Sequence, residues 1–276
     1  MRKAFSICLG LWFLATTFSS AVAEEHPTWR VNLETCPQMK TQNIVLRFYG
    51  DLLVIYSEAG NCVLIFDRKS QQMVDDKETR RAISLFLVNP CPLTRFRKRF
   101  PEVNVLECWK EMVLEQVGGI GLGDEGPTEY YLRLPGKERV RLFHGNCWPE
   151  DPHFVGDDQI LVNQCNGKAL VLNTKGRKLY SFPRLSMAYI ALSDQGTRFA
   201  AYERSSSFLH ELEGTTNRLK VRVFRSSDGK KIFERKWHRA EGEGTNDGQI
   251  ALSNDGSRLA IVRGQEVQIY LLPEPH

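Results

Sequence analysis

The sequence lacks the short motifs that mark common enzymes and metal proteins. It contains no H-E-x-x-H, no G-x-S-x-G and no C-x-x-C. Those absences exclude the recognisable signatures of zinc proteases, serine hydrolases, thiol redox proteins and cysteine-based zinc sites. The sequence therefore predicts no catalytic residue and no metal ligand, and it leaves open whether the chain is an enzyme.

A cofactor signal is also missing. Gly121, Gly123 and Gly126 form a formal G-x-G-x-x-G, but Pro127 and the strand-like residues 130–132 follow it. A dinucleotide site needs a helix N-terminus at that point to hold the pyrophosphate. We therefore expect no cofactor.

A large excess of one charge is absent as well, since Lys and Arg number 37 against 33 Asp and Glu. So nearly balanced a chain is not expected to bind nucleic acid. The strongest local cluster is basic and interleaved with aromatics, at residues 95–100. Its cations, Arg95, Arg97, Lys98 and Arg99, are candidates for binding an anion, and the alternative is a solvated loop whose Phe residues pack on the fold.

Only one long apolar run is present, and it lies at the N-terminus. Arg2 and Lys3 precede the apolar residues 4–18, and residues 19–23 end in a small-residue A-x-A site. This pattern predicts a secretory signal peptide over 1–23 rather than a membrane anchor, because the run is too short to span a bilayer comfortably. We expect a secreted or periplasmic protein without a transmembrane segment after cleavage, and a single domain over 24–276.

Cysteine usage agrees with export. Six cysteines remain after residue 23, namely Cys36, Cys62, Cys91, Cys108, Cys147 and Cys165. An even number in an oxidising compartment favours disulfides, and six allow 15 connectivities.

Helix signals are few. The best candidate runs from Asp75 to Leu87, with Asp75 or Asp76 as its cap. Elsewhere the chain alternates short β-branched or aromatic runs with Gly, Asn and Asp, which is typical of strands joined by tight turns.

Those runs repeat along the chain. A strand core ending in a large apolar residue recurs at 63–66, 131–134, 169–172, 221–224 and 267–270. A half-repeat upstream is nearly copied between 190–200 and 250–260, and a looser copy links 48–51 with 154–157. Such internal similarity indicates a repeat fold.

The half-repeat followed by its strand core resembles the repeats of WD40-like β-propellers, over roughly residues 44–272. The chain departs from the standard WD40 family, since no strand ends in Trp-Asp and no repeat opens with Gly-His. The resemblance implies an all-β fold, a small propeller of about five to six four-stranded blades, with an insertion at about 75–110 or a degenerate sixth blade there. The N-terminal strand Trp29–Leu33 would supply the missing outer strand of the last blade and close the ring.

The repeats also suggest a disulfide pairing. Cys62 and Cys165 each precede a recurring strand core, and Cys36 and Cys147 lie a short way upstream of them. We expect Cys36–Cys62 and Cys147–Cys165, which leaves Cys91–Cys108 by elimination.

Two functions fit this sequence. The first is an exported, non-enzymatic propeller that binds a protein or another extracytoplasmic macromolecule on one face. The second is a propeller hydrolase or lyase acting on an extracellular sugar or lactone, which could gather His144, His153 and His238 at a central channel.

Overall fold

The computed structural model describes the chain mainly as short antiparallel strands. It describes residues 26–36, 39, 44–57, 62–88, 104–117, 128–145, 152–163, 168–182, 185, 189–204, 218–238 and 249–274. Nineteen strands and one helix lie in these ranges, and the strands form five sheets. The predicted all-β fold is confirmed.

The sheets follow one another along the chain. The first contains β2 (Ile44–Tyr49), β3 (Leu52–Ser57) and β4 (Val63–Asp67), and the second β5 (Asn104–Trp109), β6 (Met112–Val117), β7 (Thr128–Arg133) and β8 (Val140–Gly145). The third contains β9 (His153–Gly156), β10 (Gln159–Asn163), β11 (Ala169–Asn173) and β12 (Lys178–Phe182). The fourth contains β13 (Tyr189–Leu192), β14 (Arg198–Arg204), β15 (Arg218–Arg225) and β16 (Lys231–His238), and the fifth β17 (Ile250–Leu252), β18 (Arg258–Arg263) and β19 (Glu266–Leu271).

The fifth sheet takes its outer strand from the other end of the chain. Strand β1 (Trp29–Asn32) pairs antiparallel with β19, with Trp29 opposite Ile269 and Asn32 opposite Glu266. The predicted position of the N-terminal strand is therefore confirmed. Without β1, the inner residues of β19 would lie at an open sheet edge.

The recurring strand cores all occupy the same place. They are β4, β7, β11, β15 and β19, the third strand of each sheet. The copied half-repeats are the first hairpins of the fourth and fifth sheets, β13–β14 and β17–β18. Each copy of the sequence repeat therefore falls on the same strands of its sheet.

Apolar side chains fill the spaces between neighbouring sheets. Val31 and Ile269 pack with Leu46 and Leu53, which joins the fifth sheet to the first. Three similar clusters join the fourth sheet to the fifth, the third to the fourth and the second to the third. Because full burial of each such side chain is worth about 1.5–3 kcal/mol, these clusters are the main force that holds the sheets together.

Helix α1 (Lys77–Val88) lies within the region predicted as an insertion at about 75–110. Its N-cap is Asp76, whose carboxylate accepts a hydrogen bond from the Thr79 backbone N–H at 2.8 Å. Ile83 packs against Val54 and Ile65 of the first sheet. The helix thus covers the face of the first sheet opposite to the fifth, while β5 takes up the last part of the predicted insertion.

Candidate functional site

The tight turns of the five sheets gather at one end of the fold. In an antiparallel sheet of consecutive hairpins, the first and third connections lie at the same edge. We call this end the turn face. Its first turns are at 50–51, 110–111, 157–158, 193–197 and 253–257, and its third turns include 135–139, 174–177 and 226–230.

Charged side chains link the turns of neighbouring sheets. Arg68 pairs with Asp51 of its own sheet at 2.5 Å and with Asp255 of the fifth sheet at 3.2 Å. Lys110 of the second sheet pairs with Asp157 of the third at 2.7 Å. These contacts confirm that the first turns of different sheets lie side by side.

Uncharged contacts extend the same pattern. The Gln195 N–H donates to the Asn254 carbonyl at 3.1 Å, between the fourth and fifth sheets. The Tyr180 hydroxyl donates to the Ser226 carbonyl at 2.7 Å, between the third and fourth sheets. Burial raises the pKa of Tyr180, so it stays a hydrogen-bond donor throughout the physiological range.

A pocket of about 420 Å³ opens where the third, fourth and fifth sheets meet on the turn face. Turns from all three sheets line it. Its residues are Gly156, Asp157, Asp158, Gln159, Gln195, Gly196, Thr197, Arg198, Arg225, Ser226, Ser227 and Asp255. Pockets of this size accommodate a small molecule or a short peptide segment.

Gly196 shapes the pocket wall. Its φ is +67°, and a Cβ placed there would come within 2.6 Å of the Asp157 carboxylate. Both the backbone conformation and the close approach of the neighbouring turn therefore require glycine.

Arg198 forms the floor of the pocket. It is 3% exposed, and its guanidinium donates to the Gly256 carbonyl at 2.9 Å and to the Pro273 carbonyl at 2.7 Å. No carboxylate lies within ion-pair distance of it in the described part of the chain. Burial lowers the pKa of Arg198, the Asp255 charge opposes this, and the nearby Arg225 charge lowers it further.

The acidic side chains at the rim differ in how far they are already paired. Asp157 accepts hydrogen bonds from Lys110 and from the Trp109 indole N–H, and the Lys110 bond is the main reason that its pKa lies below the ordinary value. Asp158 forms no ion pair with any residue that the structure describes, and it is exposed. Asp158 is thus the uncompensated anion of the rim.

Asp255 is held mainly by the fifth sheet. Burial alone would raise its pKa, but hydrogen bonds from Ser253 and Ser257, with the charge of Arg68, keep it well below the ordinary value. Its carboxylate therefore stays ionised and is already bound by Ser253, Ser257 and Arg68.

The fourth sheet supplies the remaining polar groups. Arg225 pairs only loosely with Asp228, at 3.4 Å, and its side chain is 27% exposed. The Ser226 hydroxyl is buried and has no hydrogen-bond partner among the described residues. A buried hydroxyl without a partner costs about 1–3 kcal/mol, so this pocket carries unused hydrogen-bonding capacity.

The histidines considered as a channel cluster lie in different layers of the sheets. His153 is on β9, the innermost strand of the third sheet, and its Nδ1 lies 3.1 Å from Glu107 on β5. His144 and His238 lie on β8 and β16, the outermost strands of their sheets. The structure does not bring these three strand positions together, and the hydrolase or lyase alternative is not favoured.

Two absences apply to the described ranges only. They hold no group of three or more His, Cys, Asp or Glu side chains arranged to bind a metal ion. They also hold no helix long and apolar enough to cross a membrane.

The predicted disulfide Cys36–Cys62 is confirmed, with its Cα atoms 6.4 Å apart. Cys108 is also disulfide-bonded. Cys91, Cys147 and Cys165 lie outside those residues, so the other two pairings stay predictions. The same holds for the basic candidates Arg95, Arg97, Lys98 and Arg99 and for the Gly121–Gly126 motif.

Sequence reasoning did not find the pocket. Its groups come from turns that lie tens of residues apart, and only contacts between sheets bring them together. One signal was present, because Arg198 and Arg258 occupy equivalent positions of the copied half-repeat. Arg198 lines the pocket between the third, fourth and fifth sheets, and Arg258 is not among its lining residues.

Comparison with solved structures finds several that match this chain at low identity. Hsv2 from Kluyveromyces lactis matches with 13% identity and a TM-score of 0.35, over 78% of this chain and 56% of that chain. The C-terminal WD40 domain of Sif2 matches with 12% identity and a TM-score of 0.40, over 81% and 55%. The β-propeller domain of Cps50 (Swd1) from Myceliophteria thermophila matches with 10% identity and a TM-score of 0.34, over 90% and 100%.

No family model and no curated protein matches the sequence. The chain spans between about half and three-fifths of the Hsv2 and HIRA chains that it matches. The five repeated sheets and the packing between them define the fold. It fits a divergent WD40-like β-propeller.

Proposed function

We propose that this protein is an exported binding module that recognises another protein through its turn face. The observation that carries the proposal is the pocket between the third, fourth and fifth sheets, a concave site lined by charged and polar residues at the junction of three repeats. Binding residues are commonly carried on turns that a rigid scaffold positions. Here the scaffold is the set of buried clusters between the sheets.

The composition of the turn face supports a protein partner. Trp109 and Arg225 lie on it beside exposed polar groups such as Thr197 and Ser227. Tryptophan and arginine are enriched among the residues that dominate protein interfaces.

The proposal includes a ring of five blades in chain order, which would close at the face of the first sheet that helix α1 covers. The first sheet packs on the fifth, the fifth on the fourth, the fourth on the third and the third on the second. Export is supported by the signal-like residues 1–23 and by the Cys36–Cys62 disulfide, which an oxidising compartment would maintain.

Site-specific photo-cross-linking tests the proposal. A benzoylphenylalanine at Ser227, on the turn face, should capture a discrete protein adduct from the extracytoplasmic fraction of the source cells. The matched control is the same probe at Gln265, in the exposed β18–β19 turn at the opposite edge of the fifth sheet. Adducts at Gln265 with none at Ser227 would refute the use of the turn face.

A further inference from the structure

We infer that the pocket between the third, fourth and fifth sheets receives an acidic side chain of a partner polypeptide, and that Arg225 pairs with its carboxylate. The inference rests on the proposed function, because it names the chemistry that the turn face would recognise. It is carried by the distribution of charge and of unused donors around the pocket.

The cations of the pocket are less completely paired than most of its anions. Arg198 donates only to the neutral carbonyls of Gly256 and Pro273. Arg225 has Asp228 as its ion-pair partner, at the long distance of 3.4 Å. The guanidinium groups of Arg198 and Arg225 thus share one pocket, and they lie close enough for the charge of Arg225 to lower the pKa of Arg198.

Two of the three rim carboxylates are already engaged elsewhere. Asp157 is bound by Lys110 at 2.7 Å, and Asp255 by Arg68 at 3.2 Å and the Ser253 hydroxyl at 2.7 Å. Their charges are therefore largely offset before any ligand arrives. The positive charges of Arg198 and Arg225 therefore still attract an anion into the pocket.

The donors of the pocket match one carboxylate. The accessible Arg225 guanidinium can offer parallel N–H groups to the two oxygens of a carboxylate. The hydroxyls of Thr197 and Ser227 line the same pocket and are exposed, and the buried Ser226 hydroxyl beside them has no partner among the described residues. A bound carboxylate oxygen could accept hydrogen bonds from the exposed hydroxyls of Thr197 and Ser227.

The remaining acidic residue, Asp158, determines which ligand charge the pocket prefers. Asp158 is exposed at the rim and has no cation paired with it in the described ranges. A singly charged carboxylate balances the one accessible guanidinium, that of Arg225, whereas the second charge of a dianionic phosphate would face Asp158 with no further accessible cation among the lining residues. The pocket therefore favours Glu or Asp over a phosphorylated side chain.

Fluorescence anisotropy with defined peptides tests this inference. The probe is a fluorescein-labelled peptide of six glutamates, compared with peptides of six glutamines, six lysines and six phosphoserines. The glutamate peptide should bind with the highest affinity, and its affinity should fall as salt is raised. Equal binding of the glutamine peptide, or tighter binding of the phosphoserine peptide, would overturn the inference.

Three variants assign the binding to the pocket. Arg225→Gln should weaken binding of the glutamate peptide about tenfold or more, because a charge-assisted hydrogen-bonded pair is lost. Asp158→Asn should strengthen binding by a few-fold, because the unpaired repelling charge is removed. The matched control is Arg177→Gln. Arg177 is exposed and lies in a turn whose Gly176 faces the second sheet, so this substitution should leave the affinity for the glutamate peptide unchanged.

The Asp158→Asn arm expects a gain, so an unfolded variant cannot mimic it. An unchanged affinity in both Arg225→Gln and Asp158→Asn would refute the inference. If a partner cross-links at Ser227 while no acidic peptide binds, the inference fails and the proposed function stands.

Discussion

At the scale of single residues, the turn face depends on small polar groups that are fully buried. The Ser253 hydroxyl accepts a hydrogen bond from the Arg258 N–H at 2.9 Å and donates to the Asp255 carboxylate at 2.7 Å. Ser193 occupies the equivalent place in the fourth sheet, where its hydroxyl accepts from the Arg198 N–H at 3.2 Å. The two copies of the half-repeat therefore share this hydrogen bond from an arginine N–H to a serine hydroxyl as well as their strands.

Ser253→Ala should lower the free energy of unfolding by about 1–3 kcal/mol, because it leaves the Arg258 N–H without its acceptor. Urea denaturation at neutral pH measures the change. The matched control is Ser227→Ala, at an exposed position of another turn, which should change stability by less than about 0.5 kcal/mol. Equal effects of the two substitutions would contradict the assigned role.

Asp255 predicts how stability depends on pH. Its folded-state pKa lies well below the ordinary value of 3.8, so the unfolded chain takes up this proton first as the pH falls. The stabilisation is therefore complete above about pH 4 and is lost as the pH falls further. Asp255→Asn should flatten the loss of stability between about pH 4 and pH 2.

Urea midpoints across that pH range give the measurement. Glu138→Gln is the control, since Glu138 is exposed and has no ion pair in the described part of the chain. A slope unchanged by Asp255→Asn would show that the Ser253 and Ser257 hydrogen bonds do not hold the carboxylate ionised.

At the scale of elements, the disulfide fastens the segment that follows β1 to the entrance of β4. Cys36 and Cys62 are separated by 26 positions and join residues on either side of β2 and β3. In the chain-entropy model, a loop of this length contributes about 3 kcal/mol by restricting the unfolded chain. The bond therefore supports the region where the N-terminal strand leaves the fifth sheet.

The double variant Cys36→Ala, Cys62→Ala should lower the free energy of unfolding by about 2–4 kcal/mol without changing the folded structure. Guanidinium denaturation under oxidising conditions measures it, because a reductant would also break the bond at Cys108. Unchanged stability would show that the disulfide has no structural role.

Elements were predicted from the sequence wherever their signals are local. Third strands such as β11 and β15 were found because their apolar cores recur, and α1 because Asp76 caps it. Strand β5 was not found, because it falls in a stretch predicted as an insertion and has no copied core. The pocket required distances between separate sheets, which no local pattern contains.

At the scale of the whole molecule, the packing order of the sheets is the feature on which the account depends. The second sheet buries apolar side chains against the third, the third against the fourth, the fourth against the fifth and the fifth against the first. Helix α1 packs on the remaining face of the first sheet through Ile83. The turn face exists because this order places the tight turns of every sheet at the same end.

The most direct test asks whether β19 is an inner strand. In an inner strand every amide is hydrogen-bonded, whereas in an edge strand only alternate amides are. Residue-resolved hydrogen exchange should therefore show consecutive protection at Val267, Gln268 and Ile269, which lie between β18 and β1. The outermost strand β16 (Lys231–His238) should show alternating protection in the same experiment. Alternating protection along β19 would mean that β1 does not complete the fifth sheet, and it would contradict the proposed propeller.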